Sequence, residues 1–301
     1  MRHLPYPKIA LAAQDTTGGR WIATEKIHGA QLTLATDGSL TRVGKRKAWL
    51  AGDEPFFGWQ LLRDRLTATA LAAHHACGGT VRLYGELYGG AYPSPSVAAV
   101  PGVSAVQTGV WYCPGVRFAL FDVLVGDPAE YLPYDEIAAI AAAGGVDAVP
   151  LLARGTRAEM GATPTRFPTT VPGALGLPAL PGNLAEGVVV RADARLPAGR
   201  RPILKRKIPE FDERRFDASR PFDPRAALTA GELAAVALGM VNPARVASAR
   251  SKVGALATAI AEEVALDVLV DLADAFPAAM ARLDDAAEAA LAARLRAAAL
   301  A

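Results

Sequence analysis

The chain has 301 residues, 51% of them hydrophobic and 21% charged, with a net charge of +2, which places it among globular proteins with core enough for a large domain plus a small one. Two cysteines, Cys77 and Cys113, are too few for a disulfide framework or a four-cysteine zinc site, and they point to a reducing cytoplasm. No stretch reaches the roughly 18 charge-free apolar residues of a membrane span, so no membrane partner is expected.

Arg20 to Glu25 (RWIATE) and Gln31 to Ala35 (QLTLA) read as strands; Asp37-Gly38 is a turn signal, and Leu40 to Val43 reads as the returning strand of a hairpin. Between the first two strands lies Glu25-Lys26-Ile27-His28-Gly29. By itself, K-x-x-G fits a surface lysine before a turn glycine. It fits equally an amine at a strand end, with Gly29 letting the backbone approach a phosphate. The choice of cation adds weight, because 25 of the 32 basic residues are Arg and only seven are Lys: Lys8, Lys26, Lys45, Lys47, Lys205, Lys207 and Lys252. A guanidinium stays protonated, whereas a buried ammonium can lose its proton and become a nucleophile.

Arg42 to Lys47 (RVGKRK) is a basic run that fits a solvated edge strand as well as a ligand site. Phe56 to His75 has helical spacing, and Val81 to Leu87 reads as a strand whose alternation sets Arg82, Tyr84 and Glu86 on one face. A buried carboxylate at Glu86 needs partners, such as the hydroxyls of a ribose. Arg117 to Val125 is an apolar strand carrying Phe121 and Asp122, and Phe121 fits a core position as well as a base-stacking one. The Pro/Gly-rich Gly161 to Gly182 reads as a long surface loop or a poorly ordered insertion. Glu186 to Arg191 is a strand opening on a carboxylate suited to a divalent metal. In Ile203 to Lys207, Lys205 and Lys207 share one face, and two adjacent ammonium groups want an anion such as a triphosphate between them.

Arg191 to Arg215 carries nine Arg/Lys against four Asp/Glu, while Glu262 to Ala301 carries eight Asp/Glu against three Arg, so phosphate binding is expected locally. After Pro221 the sequence is rich in alanine and leucine, with Thr229 and Asp284 as N-caps and Pro243 and Pro277 as breaks, and reads as roughly four short helices. A boundary near 216–224 separates an α+β unit, 1–218, from an all-α unit, 222–301.

Taken together and in this order, E-K-I-H-G, K-R-K before D-E-P-F-F-G-W, L-Y-G-E-L-Y-G-G, W-Y-C-P-G-V-R-F-A-L-F-D-V-L-V, P-L-L-A-R-G, A-E-G-V-V-V and L-K-R-K resemble the motifs of the covalent nucleotidyltransferases. Within that superfamily the chain is similar to the RNA ligase 2 family of phage double-strand RNA ligases and trypanosome RNA-editing ligases. The resemblance implies a nucleotidyltransferase (ATP-grasp-like ligase) domain of antiparallel sheets with flanking helices, plus a small all-α C-terminal domain. It implies an ATP-dependent RNA ligase, active in RNA repair, that uses Mg²⁺ or Mn²⁺ and joins RNA ends or nicks in an RNA-containing duplex through lysyl-AMP. Lys26 looks like the residue that carries AMP, in a motif with Ile27 and Gly29; Glu25 lies where the family contacts adenine, and His28 matches a residue that handles the phosphate. Arg46 and Glu86 match ribose and phosphate contacts, Phe121 the ring on adenine and Asp122 a required neighbour. Glu186 matches a metal-associated carboxylate, and Lys205 and Lys207 the phosphate-binding pair. Arg191 stands where the phage proteins often have Lys, and the 161–182 segment is unlike theirs. A DNA ligase, a capping-type guanylyltransferase and a catalytically idle nucleotide-binding module are the alternatives. The His28 form of the first motif and the lack of an OB-type strand block after residue 215 argue against the first two, and the presence of every reactive residue argues against the third.

Overall fold

The computed structural model describes residues 1–9, 18–211 and 228–301. The chain opens with β1 (Trp21–Glu25), β2 (Ala30–Thr36), β3 (Thr41–Lys45) and β4 (Ala48–Trp49), followed by a 3₁₀ turn at Trp59–Leu62 and helix α1 (Arg63–Cys77). Two long strands come next, β5 (Val81–Ala91) and β6 (Cys113–Val125), and then β7 (Glu130–Tyr131), α2 (Tyr134–Gly144), β8 (Asp147–Ala148) and β9 (Leu151–Gly155). Short helices α3 (Arg157–Gly161) and α4 (Val171–Ala174) precede β10 (Gly187–Ala192), β11 (Leu196–Pro197) and β12 (Ile203–Lys207).

These strands make two sheets. The smaller has the order β12-β10-β1-β9 and is antiparallel throughout; the larger runs β11-β7-β6-β5-β2-β3-β4, with β8 added to β6. The expected antiparallel architecture is therefore present, apart from the two-residue β6–β8 pair, which is parallel. Alternation decides which face each residue serves. Leu32, Leu34, Leu83, Leu87, Phe118 and Leu120 point to a core shared with Leu66, Ala70 and Ala73 of α1 and Ile137, Ile140 and Ala141 of α2. The apolar residues of α1 recur at four- and three-residue intervals, which puts them on one side of the helix. The opposite face of the large sheet carries Tyr84, Glu86 and Tyr88.

One irregularity matters for the site. Tyr84 pairs with Asp122 and Gly85 with Leu120, so Phe121 is an extra residue without a partner on β5. Such a bulge shifts the alternation by one. Phe118 and Leu120 before it and Val123 and Val125 after it all enter the helix-covered core, which leaves both Phe121 and Asp122 on the other face.

The 161–182 segment is the long, largely exposed surface loop its composition suggests, pinned to the sheet at a few points. Thr169 and Val171 are buried, Pro168 bridges to Leu184, and Asn183 exchanges hydrogen bonds with the backbone of Trp111 in both directions. Glycine and proline here shape an arm pinned at Val171, which belongs to the same apolar cluster as Ile27, Tyr112 and Phe211.

The alanine-rich tail forms α5 (Ala230–Met240), α6 (Pro243–Val253), α7 (Ala257–Ala275), the single turn α8 (Pro277–Met280) and α9 (Asp285–Leu300). Thr229 caps α5 with a reciprocal capping box, Asp284 caps α9, and Pro243 and Pro277 occupy first helical positions, where a missing N–H costs nothing. Ile260, Val264, Val268 and Leu272 form the central stripe of the bundle core. The tail rests on α1: Arg63 bonds Asp271 and Asp274 at 2.8 Å each, and the buried Arg245 lies 3.4 Å from Asp64. The boundary expected near 216–224, which separates 1–218 from 222–301, lies outside the described residues. Among the described residues, no helix is long and apolar enough to cross a membrane.

Candidate active site

A cavity of about 1160 Å³ opens between the two sheets, and every site residue singled out in the sequence lines it: Glu25, Lys26, Ile27, His28, Gly29, Arg46, Glu86, Phe121, Asp122, Glu186, Lys205 and Lys207. They converge from strands and turns far apart in the sequence, from Glu25 to Lys207, so the convergence is a property of the fold.

At the centre, Glu186 holds two lysines at once. Lys26 Nζ donates to Glu186 Oε2 at 2.7 Å, and Lys207 Nζ sits 2.7 Å from Oε1. The two flanking strands create this arrangement: β10 pairs with β1 on one side and β12 on the other, and Lys26 N donates to the Gly187 carbonyl at 3.0 Å. Gly187 has φ near 149°, and a Cβ there would stand 2.0 Å from the Arg206 carbonyl oxygen, so only glycine lets β12 come this close. Burial opposes ionisation of Glu186, but Lys26, His28 and Lys207 together hold its carboxyl well below the usual carboxylate range. The His28 ring stands 3.6 Å from the same carboxylate and packs edge-on against Phe211, while its backbone N–H donates to Tyr112 Oη at 2.8 Å. Strand alternation separates Lys205 and Lys207, at the cavity, from Arg206, which donates to the carbonyls of Gly161 and Thr163.

Gly29 is also required by its packing. A Cβ there would fall 1.9 Å from the Leu87 carbonyl oxygen and 2.9 Å from Glu86 Cγ. The glycine therefore lets the turn that carries Lys26 press onto β5. Its N–H supports the Glu86 carboxylate, and burial raises that carboxyl to about 7, with Lys26 pulling it down and Glu186 pushing it up. Because this value exceeds the unfolded one, Glu86 favours the folded protein while protonated and costs stability as pH rises through it. The melting temperature of the wild-type protein should therefore fall relative to that of Glu86→Gln between about pH 5 and 8. Parallel melting curves across that range would contradict this environment for Glu86.

Beneath Phe121, Asp122 accepts hydrogen bonds from Tyr6 Oη at 2.6 Å and, through both oxygens, from the buried Arg201. Its place in the motif is thus explained by a buried ion pair that fixes the bulge and the Phe121 ring above it; removing one partner of such a pair costs about 3–5 kcal/mol. Tyr6 packs edge-on against Phe121, and Arg201 lies over the Tyr131 ring. Arg191 also lines the cavity. It is nearly fully buried, burial lowers its pKa, and its Nη2 has no hydrogen-bond partner among the described residues. A buried donor of this kind fits a ligand rich in acceptors.

Glu25 lines the cavity, and its side chain is also engaged on the far side of the turn. It is buried, and its carboxylate accepts hydrogen bonds from Thr169 and Thr170. Arg46 is exposed in the β3–β4 turn at the rim, next to Lys45, which pairs with Glu54. Sequence reasoning did not single out Tyr6, Arg201, Tyr112, Thr169 or Thr170 as site residues. Tyrosines and threonines at distant positions carry no local spacing, and only the fold joins them. Among the described residues no group of three or more His, Cys, Asp or Glu side chains is arranged to hold a metal. A magnesium ion bound through one carboxylate, water and phosphates needs no such group, and Glu186 is the residue that fits; both its oxygens already serve ammonium groups.

The family model described as RNA ligase matches residues 19–207, which takes in both sheets and every site residue singled out in the sequence. RNA-editing ligase 2, mitochondrial, of Trypanosoma brucei brucei is 32% identical over 230 residues, covering 64% of this chain and 54% of that protein. RNA-editing ligase 1, mitochondrial, of the same organism is 31% identical over 225 residues, covering 61% and 46%. The chain thus spans about half the length of the curated relatives it matches. Among solved structures, a Naegleria gruberi RNA ligase mutant with ATP and Mn superposes with a TM-score of 0.44 at 18% identity, covering 64% of this chain and 50% of that one. With a match that spans well over half its length and contains Lys26, Glu86, Glu186, Lys205 and Lys207, this chain belongs to the RNA ligase family.

Proposed function

We propose that the protein is an ATP-dependent RNA ligase that forms lysyl-AMP on Lys26, transfers AMP to a 5′-phosphate and then joins that end to a 3′-hydroxyl. The observation that carries this reading is the Lys26–Glu186–Lys207 triad at the centre of a cavity large enough for a nucleotide. In the first step the Lys26 amine attacks the α-phosphorus; a P–N bond forms, the bond to pyrophosphate breaks, and the departing charge meets Lys205 and Lys207. Attack requires the free amine, and an ordinary lysine is almost wholly protonated near neutral pH. Glu186 accepts from the Lys26 amine at 2.7 Å and holds that side chain in position, so the proton has to leave before attack. Glu186 would hold a divalent cation in place of one of its ammonium partners, and the cation would supply further positive charge against the phosphates. Phe121 offers a ring to the base, and Glu86 offers acceptors to the ribose.

The substrate reading is a nicked duplex whose 3′-hydroxyl strand is RNA. It is supported by relatives named as RNA-editing ligases and by a helical tail in the place where an OB-type unit is absent from the sequence pattern. An A-form duplex presents 2′-hydroxyls in a wide minor groove, where a few well-placed groups can read them. One satisfied hydrogen bond contributes about 1 kcal/mol, so a single 2′-hydroxyl contact gives roughly tenfold discrimination or less. The test compares 5′-phosphorylated nicks that differ only in the sugar of the 3′-hydroxyl strand, at low and moderate salt. Faster sealing of the RNA-bearing nick is expected at both. Equal or faster sealing of the all-DNA nick would overturn the RNA reading and leave the Lys26 chemistry standing.

A further inference from the structure

We infer that Thr169 and Thr170, on the arm between β9 and β10, are positioning residues for Lys26: they clasp the Glu25 carboxylate and so fix the turn from which the nucleophile projects. The inference rests on the lysyl-AMP reading and adds to it a part of the chain that lies outside the cavity.

Glu25 is 1% exposed, a position where an ionised carboxylate survives only if its oxygens are hydrogen-bonded. The arm supplies those bonds. Thr169 Oγ1 donates to Oε1 at 2.5 Å, and Thr170 donates to Oε2 twice, from its backbone N–H at 2.9 Å and its hydroxyl at 2.6 Å. Burial raises the Glu25 carboxyl, and these three bonds oppose that rise. Neither threonine lines the cavity, so their hydroxyls have no direct part in binding a nucleotide.

The clasp is itself anchored. Thr169 N donates to the Asn183 carbonyl at 3.0 Å, and Asn183 is locked to the Trp111 backbone by two further bonds. On the other side, Glu25 N donates to the Pro150 carbonyl at 2.9 Å and Lys26 N to that of Gly187 at 3.0 Å. The residue before the nucleophile is thus held through its amide and its side chain, and Ile27 after it is buried in the cluster that contains Val171. With both neighbours fixed, the Lys26 side chain has a defined origin from which to meet a phosphorus atom. A displacement of about 1 Å in such a group can cost up to a hundredfold in rate.

This arrangement makes a claim distinct from adenine recognition by Glu25. The clasp acts on the rate of attack, whereas adenine recognition would act on the choice of base.

The experiment is single-turnover lysyl-AMP formation with labelled ATP in wild-type protein, Thr169→Val, Thr170→Val, Thr170→Ser and Glu25→Gln, each checked for its melting temperature. The valine variants and Glu25→Gln should lower the rate constant by about tenfold to a hundredfold, with the final extent of labelling and the ATP dependence unchanged. Thr170→Ser, which keeps the hydroxyl, should restore the wild-type rate constant, and Glu25→Gln should leave the preference for ATP over GTP unaltered. A merely structural role would lower the extent of labelling by lowering the folded fraction, with the rate constant intact; that result, or wild-type kinetics in both valine variants, would overturn the clasp. A changed preference between ATP and GTP in Glu25→Gln would overturn it in favour of base recognition. Where valine variants do not fold, the serine and glutamine variants decide alone. Failure of the wild-type protein to label would remove the lysyl-AMP reading and the clasp together, an outcome visible before any variant is compared.

Discussion

Replacing Lys26 with alanine or arginine should reduce covalent labelling by ATP to background. Alanine removes the amine, while arginine keeps the charge and much of the length, so the pair separates nucleophilicity from charge. A guanidinium does not give up its proton near neutral pH and cannot attack phosphorus. It can still pair with Glu186, so Lys26→Arg should keep a melting temperature close to that of the wild-type protein while losing all adduct. Residual labelling of Lys26→Arg at a substantial fraction of the wild-type level would show that another residue carries AMP.

The second large effect is expected at Lys207. Its ammonium is bound to Glu186 Oε1 on the strand edge opposite Lys26, which places it to meet charge that develops on the phosphates. Loss of a preorganised donor of this kind costs about 10² to 10³ in rate. Lys207→Ala should therefore slow lysyl-AMP formation by about that factor, and Lys207→Arg, which keeps a fixed charge in altered geometry, should recover part of it. The expected split is a fall in the maximal rate larger than any rise in the ATP concentration that half-saturates it, because the charge in question grows as the bond breaks. A Lys207→Ala protein with unaltered single-turnover kinetics would place the phosphate charge elsewhere, with Lys205 as the next group to test.

The chemistry of this site was more legible in the sequence than its geometry. Lys26, Glu186, Lys205 and Lys207 are only hinted at by strand alternation, local charge and the rarity of lysine; the family resemblance of the ordered motifs singled them out, and the cavity assembles all four. Period-two alternation also placed Glu86 on the cavity face of β5 and Arg206 away from Lys205 and Lys207. Three features escaped for physical reasons. The bulge at Phe121 breaks alternation, and nothing in the apolar run FALFDVLV marks which residue will be unpaired. The Asp122–Arg201–Tyr6 cluster joins residues 79 and 116 positions from Asp122, and no local pattern encodes such a meeting. The 161–182 arm carries Pro and Gly at a density that suits the exposed loop it forms, yet two adjacent threonines within it meet a buried carboxylate 144 and 145 positions away. Composition reports what a segment can do alone; the packing of Val171, Thr169 and Asn183 depends on the sheet beside it.

The helical tail shows the same division. Its caps at Thr229 and Asp284 are local hydrogen-bond chemistry and were readable. Its docking through Arg63 to Asp271 and Asp274, and through Asp64 to Arg245, joins α1 to helices some 200 residues later and was not.

The account stands most directly on where AMP is carried. Incubation of the wild-type protein with ATP and Mg²⁺, followed by intact-mass measurement and peptide mapping under conditions that preserve a phosphoramidate, should show one added adenylyl group, located on Lys26. An adenylyl group on any other residue, or an unmodified protein that nevertheless joins RNA ends, would contradict it.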